Sequence, residues 1–146
     1  QRSRQNIELK LTQEGRQYRD QVICSGHRSS CLRIGLNIGC GTADAMPKRP
    51  PLDALAKGFI DLSSRHDFEL ILTGAPFEKG INDEFIEKIN ALGPSRQSAG
   101  WIRNLAGTKD LLELAGVISA CDLFVSSDSG PYHMSVALKL QTLLLP

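Results

Sequence analysis

Apolar and polar positions recur in one order along most of this 146-residue chain. A short apolar run is followed by a cluster of small polar residues and glycines, then by a longer stretch with an apolar residue every three or four positions. The first pattern reads as a buried strand, the cluster as a turn, and the third as a helix with one buried face. Residues 32–37 make the first run, and Gly39, Cys40, Gly41 and Thr42 stop it. A polar loop to Pro51 leads into a helix over about 52–65, with Leu52, Leu55, Ala56, Phe59 and Ile60 on one face. A second strand at 69–73 gives way to Gly74, Ala75, Pro76, Phe77 and Glu78, then to a helix over 81–92 and a polar loop over 93–100. The third strand, 101–105, ends at Ala106 and Gly107. Thr108 caps the next helix, with Asp110 and Glu113 in its acid-favouring first turns and Leu111, Leu114, Ala115, Val117 and Ile118 as its stripe. A fourth strand at 122–126, a helix to about Lys139 and a fifth run at 142–145 complete the series. Ahead of it, residues 1–10 read as a polar lead-in. Residues 11–24 read as a short helix capped by Thr12, whose modest stripe of Tyr18, Val22 and Ile23 needs a neighbour to pack on. Crossovers of helical length allow parallel pairing. The expected fold is therefore α/β, a Rossmann-like doubly wound parallel sheet over residues 31–146 with a lead-in helix within residues 1–30. Asn37, Gly74, Gly107 and Ser127 should lie at its carboxyl edge.

The fourth strand-to-helix corner carries the most chemistry. Leu123, Phe124 and Val125 are followed by Ser126, Ser127, Asp128, Ser129, Gly130 and Pro131, then by Tyr132 and His133. Gly130 allows close backbone approach, and Pro131 suits the first helical position, where its missing N–H has no intrahelical partner to lose. The free amides of such a first turn favour an anion, a phosphate or diphosphate above all. Asp128 would repel a diphosphate, so its expected work is a hydrogen bond to a sugar hydroxyl or an Asx-type brace of its own loop. His133 either donates to a phosphate oxygen or is a buried structural histidine.

Composition narrows the function classes. With 41% hydrophobic and 23% charged residues the chain has the make-up of a soluble globular domain. A net charge of +1 gives no case for nucleic acid. Residues 1–33 hold seven Lys or Arg against three Asp or Glu, so this arm is net +4 and the remainder −3. No apolar run approaches the roughly 18 residues of a membrane span, and no signal peptide opens the sequence. Cys24, Cys31, Cys40 and Cys121 form no Cys-x-x-Cys pair. Cys24, His27, Cys31 and Cys40 match no standard zinc spacing, so no metal is expected and free thiols fit a cytoplasmic protein.

Two enzyme classes drop out. The glycines do not form Gly-x-Gly-x-x-Gly, so a dinucleotide oxidoreductase is not supported. Ser127-Asp128-Ser129-Gly130 resembles the nucleophile segment of trypsin-like proteases, but those are β-barrels, and Asp128, Ser129 and His133 are too close in sequence to form the relay easily.

Asp128, Ser129, Gly130, Pro131 and His133, with Asn104, Leu105, Ala106, Gly107 and Thr108 a helix upstream, resemble the donor-binding signature of the heptosyltransferases, glycosyltransferase family 9. The resemblance spans about 32–146 and is most specific over 104–138. Lys48 and Arg49 resemble the family's Lys-Arg-Trp-Pro element, with Pro50 in place of the tryptophan, and Asn37-Ile38-Gly39 stands where many members have Asn-Pro-Gly. The resemblance implies the C-terminal, donor-binding lobe of a two-lobed GT-B enzyme. Such an enzyme transfers heptose or a related sugar, with inversion, from a nucleoside diphosphate sugar such as ADP-heptose to lipopolysaccharide core. It implies Lys48 as a point charge on the diphosphate and Glu78 as an acceptor for ribose hydroxyls. Thr108 and Lys109 would lie by the base, and Asp128, Ser129, Gly130, Pro131 and His133 around the donor. The catalytic base would be an aspartate of the other lobe, outside these residues, so the chain alone is expected to be inactive and truncated. No Asp-x-Asp pair occurs, so no cofactor is expected; helix amides and Lys48 can offset the diphosphate charge. The implied partners are the donor, the core acceptor through the other lobe and the inner-membrane surface. The alternative is a non-catalytic nucleotide-sugar-binding or interaction domain.

Overall fold

The computed structural model describes residues 12–24, 32–39, 51–92, 101–107, 111–127 and 130–145. Helix α1 (Gln13–Cys24) starts at a true cap: Thr12 Oγ1 accepts the Gly15 N–H at 3.0 Å, satisfying one of the amides that an α-helix leaves without an internal partner. Strand and helix then alternate: β1 (Leu32–Asn37), α2 (Leu52–Ser63), β2 (Phe68–Thr73), a 3-10 turn (Pro76–Glu78), α3 (Lys79–Ala91), β3 (Ile102–Asn104), α4 (Leu111–Ser119), β4 (Leu123–Ser126), α5 (Gly130–Ala137) and β5 (Gln141–Leu144). The sheet order is β3-β2-β1-β4-β5, and every neighbouring pair is parallel. This is the expected α/β arrangement.

Strand alternation gives the sheet two unlike faces. Ile34, Leu36, Phe68, Leu70 and Leu72 face α2 and α3, where they meet Ala56, Phe59, Phe85 and Ile89. Aromatic rings lock this layer edge to face: Phe59 to Phe85 at 6.1 Å and Phe68 to Trp101 at 5.4 Å between centroids. On the other face Ile71 packs with Val22, Val117, Ala120 and Cys121. Here α1 and α4 come into backbone contact. A β-carbon on Gly116 would stand 2.7 Å from the Gly15 carbonyl oxygen, so a glycine is required at that crossing. The same face buries Arg33 and Glu69 between strands, and Arg103 donates both to Glu69 at 3.0 Å and to the Val22 carbonyl at 2.9 Å.

The element ends differ from the sequence reading at a few points. The turn Pro76–Glu78 feeds straight into α3, which therefore begins at Lys79 rather than at 81. Trp101 lies just outside β3 yet still accepts the Leu70 N–H at 2.7 Å. Gly130 opens α5 and Pro131 takes its second position, not its first; φ is compatible there and the absent N–H still costs no helical bond. Helix α5 ends at Ala137, and the chain turns through Lys139 at φ 65° within the three residues, 138–140, that lead to β5. Among the described residues no helix is long and apolar enough to cross a membrane.

Candidate functional site

In this strand order the chain steps from β1 outward to β2 and β3, then returns across β1 to β4. The turns leaving β1 and β4 therefore diverge to opposite faces, and a crevice opens between them at the carboxyl edge. The edge is level: Asn37 pairs with both Thr73 and Ser126, and Ser126 pairs with Leu144. Asn37, Gly74, Gly107 and Ser127 all follow or end strands on this side, as the sequence pattern requires. At the floor of the crevice Ser127 Oγ donates across to the Gly39 carbonyl at 3.5 Å, a long bond between the two diverging turns.

Neutral side chains link the turns to one another. Asn37 Nδ2 donates to the Gly39 carbonyl at 2.8 Å, while its Oδ1 accepts the Thr73 hydroxyl at 2.9 Å. The Thr73 carbonyl accepts Asn82 Nδ2 at 3.2 Å, and the same Nδ2 donates to Asn104 Oδ1 at 3.1 Å. Asn104 Oδ1 also accepts the Ala106 N–H at 3.1 Å, and Asn104 Nδ2 donates to Asp83 at 2.9 Å. A backbone bond, Gly107 N–H to the Gly74 carbonyl at 2.8 Å, closes the gap between the turns after β2 and β3. The turns after β1, β2 and β3 are thus tied into one relay of amide and hydroxyl groups, which the long Ser127 bond to Gly39 extends to the turn after β4. Asn37 and Asn104 belong to patterns visible in the sequence. Asn82 was missed, although it lies three and seven residues before Phe85 and Ile89, on the buried stripe of α3, where a polar residue is itself a signal.

Glu78 is buried, 6% exposed, on the wall of the crevice beside β2. Its Oε1 accepts the Ala75 N–H at 2.7 Å and its own N–H donates to the Ala75 carbonyl at 2.9 Å, so the residue closes the turn on itself. Its other oxygen lies across Gly39: a β-carbon there would overlap Oε2. The carboxylate of one turn therefore occupies the space that glycine leaves in another. Glu78 is at once a turn brace and a carboxylate that lies against Gly39 of the first turn.

On the opposite wall α5 begins at Gly130, with Pro131 half-buried behind it. His133 is exposed on the first turn, its ring edge to face with Tyr132 at 5.1 Å, which removes the buried-histidine alternative. The helix is anchored from below by Ser135, fully buried, whose Oγ donates to the Tyr132 carbonyl at 2.8 Å and meets Thr142 Oγ1 at 2.9 Å. Lys48, Thr108, Lys109, Asp128 and Ser129 lie outside the described residues, as do His27, Cys31 and Cys40. The expected convergence of Lys48 on the Ser129 corner falls there too.

The comparisons with known proteins bear on this geometry. In the solved structure described as E. coli ADP-heptose lps heptosyltransferase II, a match with TM-score 0.68 and 27% identity covers 92% of this chain and 38% of that one. A glycosyl transferase family 9 structure from Veillonella parvula, 22% identical with TM-score 0.68, has the same fold. Lipopolysaccharide heptosyltransferase 2 of Salmonella typhimurium is 34% identical over 120 residues, and lipooligosaccharide heptosyltransferase 2 of Campylobacter jejuni is 29% identical over 112. The chain spans about a third of the length of these curated relatives, 32% in each case. The family model for glycosyltransferase family 9 (heptosyltransferase) matches residues 41–145, from the turn after β1 through the last strand. That match takes in most of the turns that frame the crevice, and on it the chain belongs to glycosyltransferase family 9, the heptosyltransferases.

Proposed function

We propose that this chain is the donor-binding part of an inverting glycosyltransferase that moves heptose, or a related sugar, from a nucleoside diphosphate sugar to lipopolysaccharide core. The observation that carries the reading is the crevice between β1 and β4, with the start of α5 on its rim, in a chain of this family. Open α/β sheets bind ligands at such a switch point, and a helix start favours a diphosphate. The ADP in the printed description of the E. coli structure makes ADP-heptose the first donor to try.

The residues divide the work by their chemistry. Backbone amides at Ser129 and Gly130 take the diphosphate, with Pro131 fixing the turn and His133, exposed on that rim, donating to a phosphate oxygen. Lys48 adds a point charge, so the diphosphate is neutralised without a metal or other cofactor. Thr108 and Lys109 meet the base. Glu78, whose Oε1 holds the Ala75 amide, accepts from a ribose hydroxyl. Asp128 binds a sugar hydroxyl or braces its loop. The base that deprotonates the acceptor comes from the other lobe, on the face opposite the leaving diphosphate. The enzyme works in the cytoplasm, against the inner-membrane surface where its acceptor is held.

The test is transfer. The purified chain is incubated with ADP-heptose and core acceptor, with and without the acceptor lobe of a family member. Saturable donor binding without turnover, and turnover when the lobe is added, is the expected result. Acceptor glycosylation by the 146 residues alone, abolished by Asp128→Asn, would put the base in this half instead. Failure to bind any of a panel of ADP, GDP, UDP and CDP sugars would leave the interaction-domain alternative.

A further inference from the structure

We infer that Asn82 is a positioning residue that sets the spacing between the turn after β1 and the turn after β3, so that one nucleoside diphosphate engages both; this rests on the donor-binding reading above. Asn82 is fully buried in the first turn of α3, on the same stripe as Phe85 and Ile89. Its Oδ1 has no hydrogen-bond partner among the described residues, and a buried acceptor without a partner destabilises the fold. An apolar side chain would continue the stripe without that cost. What the amide adds is the pair of donations from Nδ2, to the Thr73 carbonyl and to Asn104 Oδ1.

Those two bonds sit in the middle of the relay. On one side Thr73 passes the constraint to Asn37 through its hydroxyl, and Asn37 fixes the Gly39 carbonyl. On the other, Asn104 holds the Ala106 N–H through the oxygen that Asn82 engages and reaches α3 at Asp83 through its Nδ2. The polarity is set along the whole line. Turning Asn82 over would aim its oxygen at two other acceptors, and turning Asn104 over would forfeit the bonds to Ala106 and Asp83. The relay therefore has one arrangement, and with it one separation of the outer turns. A ligand whose two halves bind at different turns gains from their linkage only when the turns match its span. Loss of the relay should leave each half-site intact and remove the gain.

The experiment measures three probes on the same chain: ADP, adenosine and inorganic pyrophosphate, by calorimetry or ligand-observed NMR. Asn82→Leu should weaken ADP about tenfold while adenosine and pyrophosphate each change less than about twofold, because only the linked ligand reports the spacing. Asn104→Ala, at a less buried position, should show the same pattern to a smaller degree, and it carries the test if Asn82→Leu does not fold. Ile89→Val thins the core contact of the same helix without touching the relay and should change none of the three ratios. Parallel weakening of all three probes, or unaltered ADP affinity in a folded variant, overturns the assignment. If the unsubstituted chain binds neither ADP nor its parts, the donor-binding reading fails and takes this inference with it; if the unsubstituted chain binds ADP, the reading stands whatever Asn82 does.

Discussion

Two polar networks on this sheet differ in charge and in position. At the carboxyl edge Asn37, Thr73, Asn82 and Asn104 form a neutral relay that opens onto the crevice. Toward the amino end, beneath α1, the network is ionic: Glu69, 2% exposed, has Arg103 on one oxygen at 3.0 Å and Arg33 Nε 3.4 Å from the same atom. Its reach is also different, since Arg103 goes on to the Val22 carbonyl and ties the last turn of α1 to three strands. Burying ions is costly and a buried cluster is weak evidence for net stability, but breaking one is severe, because the remaining charges stay in low dielectric. Neutral amides cost less to bury and less to lose. The comparison assigns the ionic network to holding the fold and the neutral one to shaping the crevice at the carboxyl edge.

The largest effect should come from the ionic side. Glu69→Ala leaves Arg33 and Arg103 without the carboxylate between them and should lower unfolding free energy by about 3–5 kcal/mol in urea. ADP affinity per folded molecule should stay within about twofold, since the crevice is built from the other network. A large loss of affinity in the folded fraction would merge the two networks and break the distinction.

Gly39→Ala attacks the neutral side. The new methyl group needs the space of Glu78 Oε2, so the carboxylate must leave Ala75 or the first turn must move. Overpacking of this kind costs about 1–3 kcal/mol. Here stability should fall less than in Glu69→Ala while ADP binding falls more, about tenfold or beyond, as a 1.4 kcal/mol penalty implies.

A pH titration probes the surroundings of the ionic cluster. The Cys121 thiol is pushed up to about 12, first by burial and then by Asp122. The unfolded thiol ionises near 9 while the folded one keeps its proton, so the unfolded state binds fewer protons and stability falls as pH rises from about 9 toward 12. The slope from this group approaches about 1.4 kcal/mol per pH unit. Cys121→Ala should flatten the urea midpoint by that increment relative to the unsubstituted chain over the same range. Equal slopes would mean that water reaches the thiol and that this face is wetter than the packing indicates.

Legibility followed the same division. The strands and most helices were written in apolar periodicity: residues 32–37 as a strand, Thr12 as a cap and the carboxyl-edge positions Asn37, Gly74, Gly107 and Ser127 all appear where the pattern puts them. The family was legible from the corner and the segment 104–108, because those residues stand together in sequence. The ionic network was not, since Arg33, Glu69 and Arg103 come from three separate strands and a charge inside a strand normally reads as an exposed position. A glycine inside a helix costs backbone entropy, yet the Gly15 carbonyl is the contact point for Gly116 on a helix far along the chain, which no local pattern shows. Asn82 stands out in the sequence only as a polar residue in an apolar stripe, and one amide there gives no sign of what lies opposite it.

The central claim is that the crevice at the carboxyl edge takes a nucleoside diphosphate, and amide chemical-shift mapping during an ADP titration of the chain tests it most directly. The account predicts saturable changes at 37–39, 74–78, 104–107 and 127–133, with Leu32, Phe68 and the amides of α1 unmoved. Saturable changes centred on α1 or on the amino edge of the sheet would contradict it.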